Sequence, residues 1–404
     1  MQASPDPAHV PGRVRVLLPH PSSDLYGSDR QMLETVTAFV ERGWHVVVAM
    51  PPGGPLEPLV VERGAEVVAI DVPVLSKRLL SPRRALAFAW ASLVGLVTLP
   101  RAVRQARADV VWVNTLTIPA WLVAGRLARV PTVCHVHEAE DDAPALVRWV
   151  LTAPLVLAGR VVTNSHAAHE SLRRSSARSA RRVTVVHNGV PGPDDEPAPP
   201  RTRAPDDPLR LALVGRLSPR KGTDVALEAV AIARGRDVDA SLTVVGTQFP
   251  GYEWFVDELE SRSRDADLAG HVAFLGYVHP TWPVLADADA VLVPSRVEPF
   301  GNTAVEGMLA QRPVVASRTQ GLAEVVSDGV TGVSVPPGDA EALADAICHL
   351  AADPAEARQL AAAGRAEALN RFSVDAYAEA VGHVLADAAA SRRGRARGRG
   401  RQAR

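Results

Sequence analysis

Two glutamates with seven residues between them lie in the stretch VLVPSRVEPFGNTAVEGMLA, residues 291–310. A short apolar run typical of a strand opens it, and the loop that follows carries Glu298. Asn302 or Thr303 is placed to cap a helix that holds Glu306 about one turn further on. Free N–H groups at a helix start attract an anion such as phosphate, and a nearby carboxylate accepts paired hydrogen bonds from hydroxyls such as those of ribose. The spacing alone fits a solvated loop residue and a helix-face residue equally well.

Two cations flank a second loop, in the sequence VGRLSPRKGT, residues 214–223. Arg216 follows a predicted strand directly, and Lys221 precedes a predicted helix, so both are expected at the carboxyl end of the strand. Two fixed cations there can stabilise a diphosphate and the charge that grows on it as a bond breaks. An ordinary basic surface loop is the alternative for this segment taken by itself.

Length and composition favour two or three domains in 404 residues, with a net charge of −1. Only two cysteines are present, Cys134 and Cys348, far apart in the chain, which argues against a disulfide framework and suits a reducing cytoplasm. The first residues lack the apolar segment of a signal peptide. The last thirteen residues hold seven arginines and no acid, so the rest of the chain sums to −1 − 7 = −8.

One apolar segment, residues 85–100, has no charged residue and is flanked by arginines. It is shorter than the roughly 20 residues that a membrane span needs. We expect a helix there, buried in the core rather than lying on a membrane surface, although the surface alternative stays open.

Strands and helices alternate along most of the chain, which predicts an α/β fold with doubly wound parallel sheets. A segment with seven prolines interrupts the alternation and reads as a linker between two such units, so a two-substrate cleft is expected between them. The predicted organisation is a disordered N-terminus over 1–12, a first domain over 13–190, a linker over 191–208, a second domain over 209–372, a helix over 373–390 that crosses back to the first domain, and a disordered arginine-rich tail over 391–404.

Several common motifs do not occur in the sequence. There is no P-loop, no G-x-G-x-x-G after a strand and no HExxH, which disfavours a nicotinamide enzyme and a zinc protease. His135 and His137 flank Val136 on a predicted strand, and we expect the two imidazoles to point to opposite faces and not to share a metal.

The combination of Arg216 and Lys221 with Glu298 and Glu306 resembles the family 4 retaining glycosyltransferases, which have the GT-B fold of two Rossmann-like domains facing across a cleft. The segment EPFGNTAVE is similar to that family's Glu-x7-Glu signature. The segments GRLSPRKG, NSHAAHESL, VVHNGV and SDGVTGVSVPPGD are similar to its other blocks, in the same order.

The resemblance implies a role for each matching residue. Arg216 and Lys221 would bind the diphosphate of a nucleotide-sugar donor, and Glu306 the ribose hydroxyls. Glu298 would bind hydroxyls of the transferred sugar. The remaining implied donor-site residues are Phe300, Gly301, Asn302 and Thr303 at the helix start, Gly27 before the first helix, and His137, which would sit beside the sugar in the first, acceptor-binding domain.

The sequence departs from the family at three glycine positions. Tyr26-Gly27 and Gln320-Gly321 stand where the family often has paired glycines, and Gly246 is followed by Thr-Gln where a glycine-rich turn is usual. These loops usually line the sugar or phosphate, so the resemblance does not identify the sugar.

The resemblance also implies the reaction, in which a sugar moves from a nucleotide diphosphate to a hydroxyl of a glycan or lipid-linked acceptor, with retention of configuration and without a metal or other cofactor. Two rivals are a sugar-nucleotide epimerase or hydrolase on the same fold, and a non-catalytic binding protein. No nucleic-acid partner is expected. The composition predicts a cytoplasmic protein, and the arginine-rich tail raises the hypothesis of peripheral attachment to an anionic membrane as part of polysaccharide or cell-envelope synthesis.

Overall fold

The computed structural model of the chain describes residues 13–25, 27–71, 74–75, 82–137, 145–204, 207–248 and 251–402. The N-terminal segment predicted to be disordered, residues 1–12, lies outside the described residues. The chain divides into two compact units: unit 1 is Met1–Asn164, Ala168–Val186 and Tyr377–Arg404, and unit 2 is Ser165–Ala167 and His187–Ala376.

Unit 1 contains a seven-stranded parallel sheet in the order β3-β2-β1-β4-β5-β6-β7. Its strands are β1 Arg15–Pro19, β2 His45–Met50, β3 Glu66–Ala69, β4 Val110–Val113, β5 Thr132–Val136, β6 Arg160–Thr163 and β7 Val183–Val185. The helices between them are α1 Gly27–Glu41, α2 Leu56–Glu62, α3 Pro82–Gln105, α4 Ala120–Ala128, α5 Ala145–Thr152 followed by a 3-10 turn Ala153–Leu157, α6 His166–Ser175 and α7 Ala177–Ala180.

The central strands of unit 1 are apolar on both faces, because helices cover the sheet on each side. One core lies between the sheet and α1 and includes Val16 and Phe39, and the other includes Leu17 and Trp121. The sheet order makes β1, β4 and β5 neighbours, so their carboxyl ends lie side by side at one edge.

Unit 2 contains a six-stranded parallel sheet in the order β10-β9-β8-β11-β12-β13. Its strands are β8 Leu209–Val214, β9 Ala240–Val245, β10 Val272–Gly276, β11 Ala290–Val293, β12 Val314–Ser317 and β13 Val333–Val335. The helices are a 3-10 turn Pro219–Lys221, α8 Thr223–Gly235, α9 Glu253–Arg262, α10 Trp282–Asp287, α11 Asn302–Leu309, α12 Leu322–Val325, α13 Ala340–Ala352 and α14 Pro354–Arg371.

Helix α15, Val374–Gln402, is the last element, and from Tyr377 onward it belongs to unit 1. Tyr377 and Val381 are buried in the core that α1 covers, and the hydroxyl groups of Tyr377 and Thr35 are hydrogen-bonded at 2.5 Å. The helix extends to Gln402, and arginine and alanine, both good helix formers, fill most of its last twelve residues. The return to the first domain and the disordered tail stay predictions.

The apolar segment 85–100 lies within α3, and the preference for a core helix was wrong. Four of its residues are exposed, Leu86 by 73%, Trp90 by 69%, Leu93 by 57% and Val97 by 52%. The intervals between these residues place them on one face of the helix. The segment is therefore a surface helix whose inner side, at Leu99, is buried. Among the described residues, no helix has the length and apolarity that crossing a membrane requires.

Candidate functional site

The loop after β8 holds the two predicted cations of unit 2. Glycines let this loop pack closely: Gly222 has φ 70°, and a Cβ there would lie 2.0 Å from the carbonyl oxygen of Pro294. A Cβ at Gly246, after β9, would lie 1.8 Å from the carbonyl oxygen of Gly215. Backbone packing therefore requires glycine at position 246. Arg216 and Lys221 are both partly buried at the carboxyl edge of the sheet.

Lys221 and Glu298 form an ion pair that the sequence did not predict. Lys221 Nζ donates to Glu298 Oε2 at 2.6 Å, and Ser295 Oγ donates to the same oxygen at 3.4 Å. Glu298 is only 8% exposed. Burial acts to raise the pKa of Glu298, but the charges of Lys221 and Arg220 and these hydrogen bonds hold that pKa below its ordinary value. The carboxylate is therefore ionised at neutral pH.

Helix α11 begins differently from the prediction. The cap is Gly301, with φ 116° and no side-chain cap, so the expectation of an Asn302 or Thr303 cap was wrong. Asn302 lies in the first turn and accepts from Asn188 Nδ2 at 2.9 Å. Glycine is needed at the cap because of its φ and because a Cβ would lie 2.6 Å from Leu322 Cδ1.

The remaining predicted residues of α11 are arranged as expected. Asn302, Thr303 and Glu306 share the side of the helix that is not buried, whereas Ala304 and Val305 pack into the core. The N–H of Ala304, in the first turn, already donates to the carbonyl oxygen of the cap residue Gly301 at 2.9 Å, and Glu306 lies one turn beyond Asn302. Phe300 is buried against Phe372 and His187, so only its backbone can face a ligand.

Arg296 is a site residue that the sequence reasoning missed. Its guanidinium donates to both carboxylate oxygens of Asp224, at 2.8 and 2.6 Å, and to the carbonyl oxygen of Pro219 at 2.7 Å. It thereby ties the loop that carries Glu298 to the turn that carries Lys221. No sequence signal identifies it, because an arginine four residues before a phenylalanine has no distinctive spacing.

One group among the described residues has a donor set that could hold a metal ion: His166, His187 and Glu324, whose ligand atoms lie within 4.8 Å of one another. Glu324 already serves a structural purpose. Its two oxygens accept from the backbone N–H groups of His166 and Ala167 at 2.8 and 2.7 Å, and both residues belong to unit 2, as Glu324 does. Burial acts to raise the pKa of Glu324, but His187 and these N–H donors lower it. These backbone bonds account for the position of Glu324 in the cluster.

In unit 1, His137 directly follows β5, and His135 lies within that strand. The expectation that the two rings point to opposite faces was wrong, because residues two apart in a strand share a face; the ring centroids are 4.0 Å apart. His135 is fully buried, and neither ring nitrogen has a hydrogen-bond partner. Burial, and then the neighbouring His137, lower the pKa of His135 well below its ordinary value.

His137 lies in a network of buried polar side chains that was also missed. Its Nε2 lies 3.4 Å from Asn114 Oδ1, Asn114 Nδ2 lies 3.2 Å from His20 Nδ1, and His20 Nε2 lies 2.8 Å from Asp29 Oδ1. Burial, and then His20, lower the pKa of His137 to about 3, against the smaller opposing effect of Asp29. The polar residues that directly follow β1, β4 and β5 are the sequence feature that could have revealed this network.

Gly27 begins α1, two residues before Asp29. Its φ is not in the left-handed region, and a Cβ there would meet no atom within 4 Å. Among the residues of unit 1 that the structure describes, nothing requires glycine at this position, so its predicted role toward a ligand stays a prediction.

Two Rossmann-like units, one of them with paired cations and paired glutamates at the carboxyl edge of its sheet, define the GT-B class of glycosyltransferases. Two family models match: "Glycosyl transferase 4-like domain" over residues 26–189 and "Glycosyl transferases group 1" over residues 208–353. The chain is 31% identical over 367 residues to a D-inositol 3-phosphate glycosyltransferase of Actinosynnema mirum, covering 80% of this chain and 85% of that one. The chain belongs to family 4 of the glycosyltransferases.

Other similarities are narrower or more distant. Glycogen synthase of Mycobacterium tuberculosis is 30% identical over 237 residues, and the match spans 55% of that protein. The crystal structure of Anabaena Alr3699/HepE in complex with UDP and glucose has a TM-score of 0.78 at 23% identity, covering 93% of this chain and 100% of that one. This likeness supports the fold.

Proposed function

We propose that the protein is a retaining glycosyltransferase that moves a sugar from a nucleotide diphosphate to a hydroxyl of a glycan or lipid-linked acceptor. The observation that carries the proposal is the Lys221–Glu298 pair, 2.6 Å across, in the unit whose helix α11 also presents Glu306. Cations, a helix start and a hydroxyl-binding carboxylate are together the groups that a nucleotide sugar requires. The structure with UDP and glucose at 0.78 TM-score makes UDP-glucose the first donor to test.

In the proposed reaction, the bond between the anomeric carbon and the diphosphate oxygen breaks, and a short-lived oxocarbenium ion forms. The acceptor hydroxyl attacks from the same face and passes its proton to the departing diphosphate oxygen. Arg216, Lys221 and the start of α11 stabilise the diphosphate charge, and Glu298 holds hydroxyls of the transferred sugar. In this reaction neither Glu298 nor Glu306 acts as a nucleophile, unlike one carboxylate of the pair that a retaining glycosidase uses.

A donor screen tests this proposal against its rivals. We expect UDP release from UDP-glucose, or from another nucleotide sugar in the panel, to accelerate when an acceptor is added. Acceptors would include oligosaccharides, polyprenyl-linked sugars and D-inositol 3-phosphate. Epimerised or hydrolysed donor without any acceptor product would favour the epimerase or hydrolase, and binding without turnover would favour a non-catalytic protein.

The proposed reaction needs no metal, because Arg216 and Lys221 supply the positive charge at the diphosphate. Turnover should therefore be unchanged after dialysis against EDTA. Loss of activity in EDTA that Mg²⁺ or Mn²⁺ restores would contradict this part of the proposal.

A second part of the proposal is attachment to an anionic membrane surface through unit 1. The exposed face of α3 that contains Leu86, Trp90, Leu93 and Val97 is here called the α3 face. Helix α3 contains four arginines and no acidic residue. Trp149 is exposed on α5, which also lacks acids. A tryptophan-bearing apolar face with basic residues matches an anionic interface, where each arginine can gain about 1 kcal/mol.

The arginine-rich end of α15 belongs to the same unit and is proposed as a further lipid contact. Its first arginine, Arg392, donates to Asp109 at 2.9 Å, so the proposal assigns lipid binding to the six arginines after it. A lipid-linked acceptor would reach the enzyme at this surface.

Vesicle sedimentation separates the two contributions. The wild-type protein should pellet with phosphatidylglycerol vesicles at low salt, less at high salt, and not with phosphatidylcholine vesicles. Trp90→Ser with Leu93→Ser, and separately a variant ending at Ala390, should each pellet less. The matched control is Trp254→Ser, a tryptophan of unit 2 that is 51% exposed. Unchanged pelleting of both variants, or none by the wild type, would contradict membrane attachment.

A further inference from the structure

Three polar side chains follow three neighbouring strands of unit 1 at the same position, one residue past the strand end. They are His20 after β1, Asn114 after β4 and His137 after β5. His20 and Asn114 are each 1% exposed, and Asp29, in the first turn of α1, is 2% exposed. Burying such groups is costly unless each is satisfied, so their hydrogen bonds decide which protons they carry.

The proton positions can be followed from Asp29 outward. Asp29 as a carboxylate can only accept, so His20 Nε2, 2.8 Å away, carries a proton. Asn114 Nδ2 is a donor and lies 3.2 Å from His20 Nδ1, so that nitrogen is the acceptor and His20 is neutral. The amide oxygen Oδ1 of Asn114 lies 3.4 Å from His137 Nε2. Because an amide oxygen can only accept a hydrogen bond, Nε2 must be the donor. His137 therefore carries its proton on Nε2.

We propose that Asp29, His20 and Asn114 are positioning residues that fix the His137 imidazole as the neutral Nε2–H tautomer. The effect on turnover rests on the proposed function, whereas the proton positions do not. The neutral state agrees with the enclosed setting of His137, whose neighbours are His20, Asp29 and the uncharged ring of His135.

Asn164 extends the same arrangement to the next strand. It follows β6, and its Nδ2 lies 3.5 Å from the backbone carbonyl oxygen of His137. The strand end that carries His137 is therefore fixed at its backbone as well as at its ring. Four adjacent strands contribute to the orientation of one imidazole.

Histidine-selective ¹⁵N NMR on the full-length protein reads the tautomers directly, with His20→Gln and His137→Gln used for assignment. We expect both residues to be neutral Nε2–H tautomers at pH 7. In Asn114→Asp, a carboxylate replaces the amide beside His20 Nδ1, so the ¹⁵N signals of both His20 ring nitrogens should become those of protonated nitrogens. In Asn114→Leu, His137 should lose its single tautomer. Asn370→Asp, at an exposed position of α14, is the matched control and should leave both spectra unchanged.

Kinetics provide the second readout. Asn114→Leu and Asp29→Asn should lower kcat about tenfold, the value of one hydrogen bond, while KM for the donor stays near wild type. An Nδ1–H tautomer of His137 in the wild type, or an imidazolium His20, would overturn the inference. Wild-type kcat in both variants would overturn the positioning role. If no nucleotide sugar is turned over, the proposed function fails, whereas the NMR result still decides the proton positions.

Discussion

Glu298 and Lys221 are each other's nearest charge, and both side chains are mostly buried. Removing one partner of such a pair leaves an uncompensated buried charge, which costs about 3–5 kcal/mol. We expect Lys221→Met to destabilise unit 2 by about 3 kcal/mol, and Glu298→Gln in the same chain to restore most of that loss. Thermal unfolding of the two single variants and the double variant measures this. Additive effects in the double variant would contradict a coupled pair.

Glu306 is expected to contribute to binding rather than to folding, because it lies on the unburied side of α11. A charged hydrogen bond to ribose is worth about 1.5–3 kcal/mol, so Glu306→Ala should weaken binding of the nucleoside diphosphate by about 10- to 150-fold. Titration calorimetry with UDP alone measures it. The control is Glu258→Ala on the exposed side of α9. Unchanged affinity in Glu306→Ala would exclude the ribose assignment.

The buried His135 makes unit 1 sensitive to acid. Its pKa is lowered in the folded state, so the unfolded chain takes up a proton near pH 6.5 that the folded chain refuses, and stability is lost as the pH falls below that value. His137 acts in the same direction down to about pH 3. His135→Leu removes one of these groups and two unpartnered ring nitrogens. Its melting temperature should fall less between pH 7.5 and pH 5 than that of the wild type or of the exposed His383→Leu control.

The loop before α12 holds two neighbouring residues with opposite steric demands. A Cβ at Gly321 would lie 2.0 Å from the carbonyl oxygen of Pro299, in the loop that carries Glu298. Gln320 has φ 40°, a left-handed conformation that glycine adopts without strain. Gly321→Ala should therefore lower the melting temperature and the donor affinity together, whereas Gln320→Gly should leave both close to wild type. Equal losses in the two variants would contradict this account of the loop.

The elements were predictable where their patterns are strong. The predicted alternation of strands and helices is present in both units, because buried parallel strands are continuous apolar runs bounded by turn residues. The start of α11 was predicted one residue late, with a polar cap, because a glycine cap leaves no side-chain signal. The exposure of α3 was mispredicted because a 3.6-residue apolar face looks the same whether a core, a partner or a lipid surface covers it.

The sequence was enough to propose residue types for the candidate site but not their contacts. Arg216, Lys221, Glu298 and Glu306 were predicted from their positions after strands and beside a helix, and their roles stay predictions. Their pairing was not, since a strand order is needed to know that the loops after β8 and β11 are neighbours. The ion pair between Arg296 and Asp224, which are 72 residues apart in the chain, was missed for the same reason. Long-range ion pairs have no local pattern that a single sequence can display.

At the level of the whole chain, each unit presents its own chemistry. Unit 2 has the charged groups that suit a nucleotide diphosphate, and unit 1 has the His20–Asp29–Asn114–His137 network and the α3 face. Because the chain belongs to family 4, these groups are interpreted as those of a glycosyltransferase.

The proposed reaction transfers a sugar with retention of configuration, and Arg216, Lys221 and Glu298 are the residues assigned to it. The most direct measurement is NMR of the purified product formed from UDP-glucose, or from whichever donor the screen selects, and its acceptor. The account predicts one glycoside per diphosphate released, with the anomeric configuration of the donor, and at least about tenfold slower formation by Arg216→Ala. A product of inverted configuration, or wild-type rates in Arg216→Ala, would contradict it.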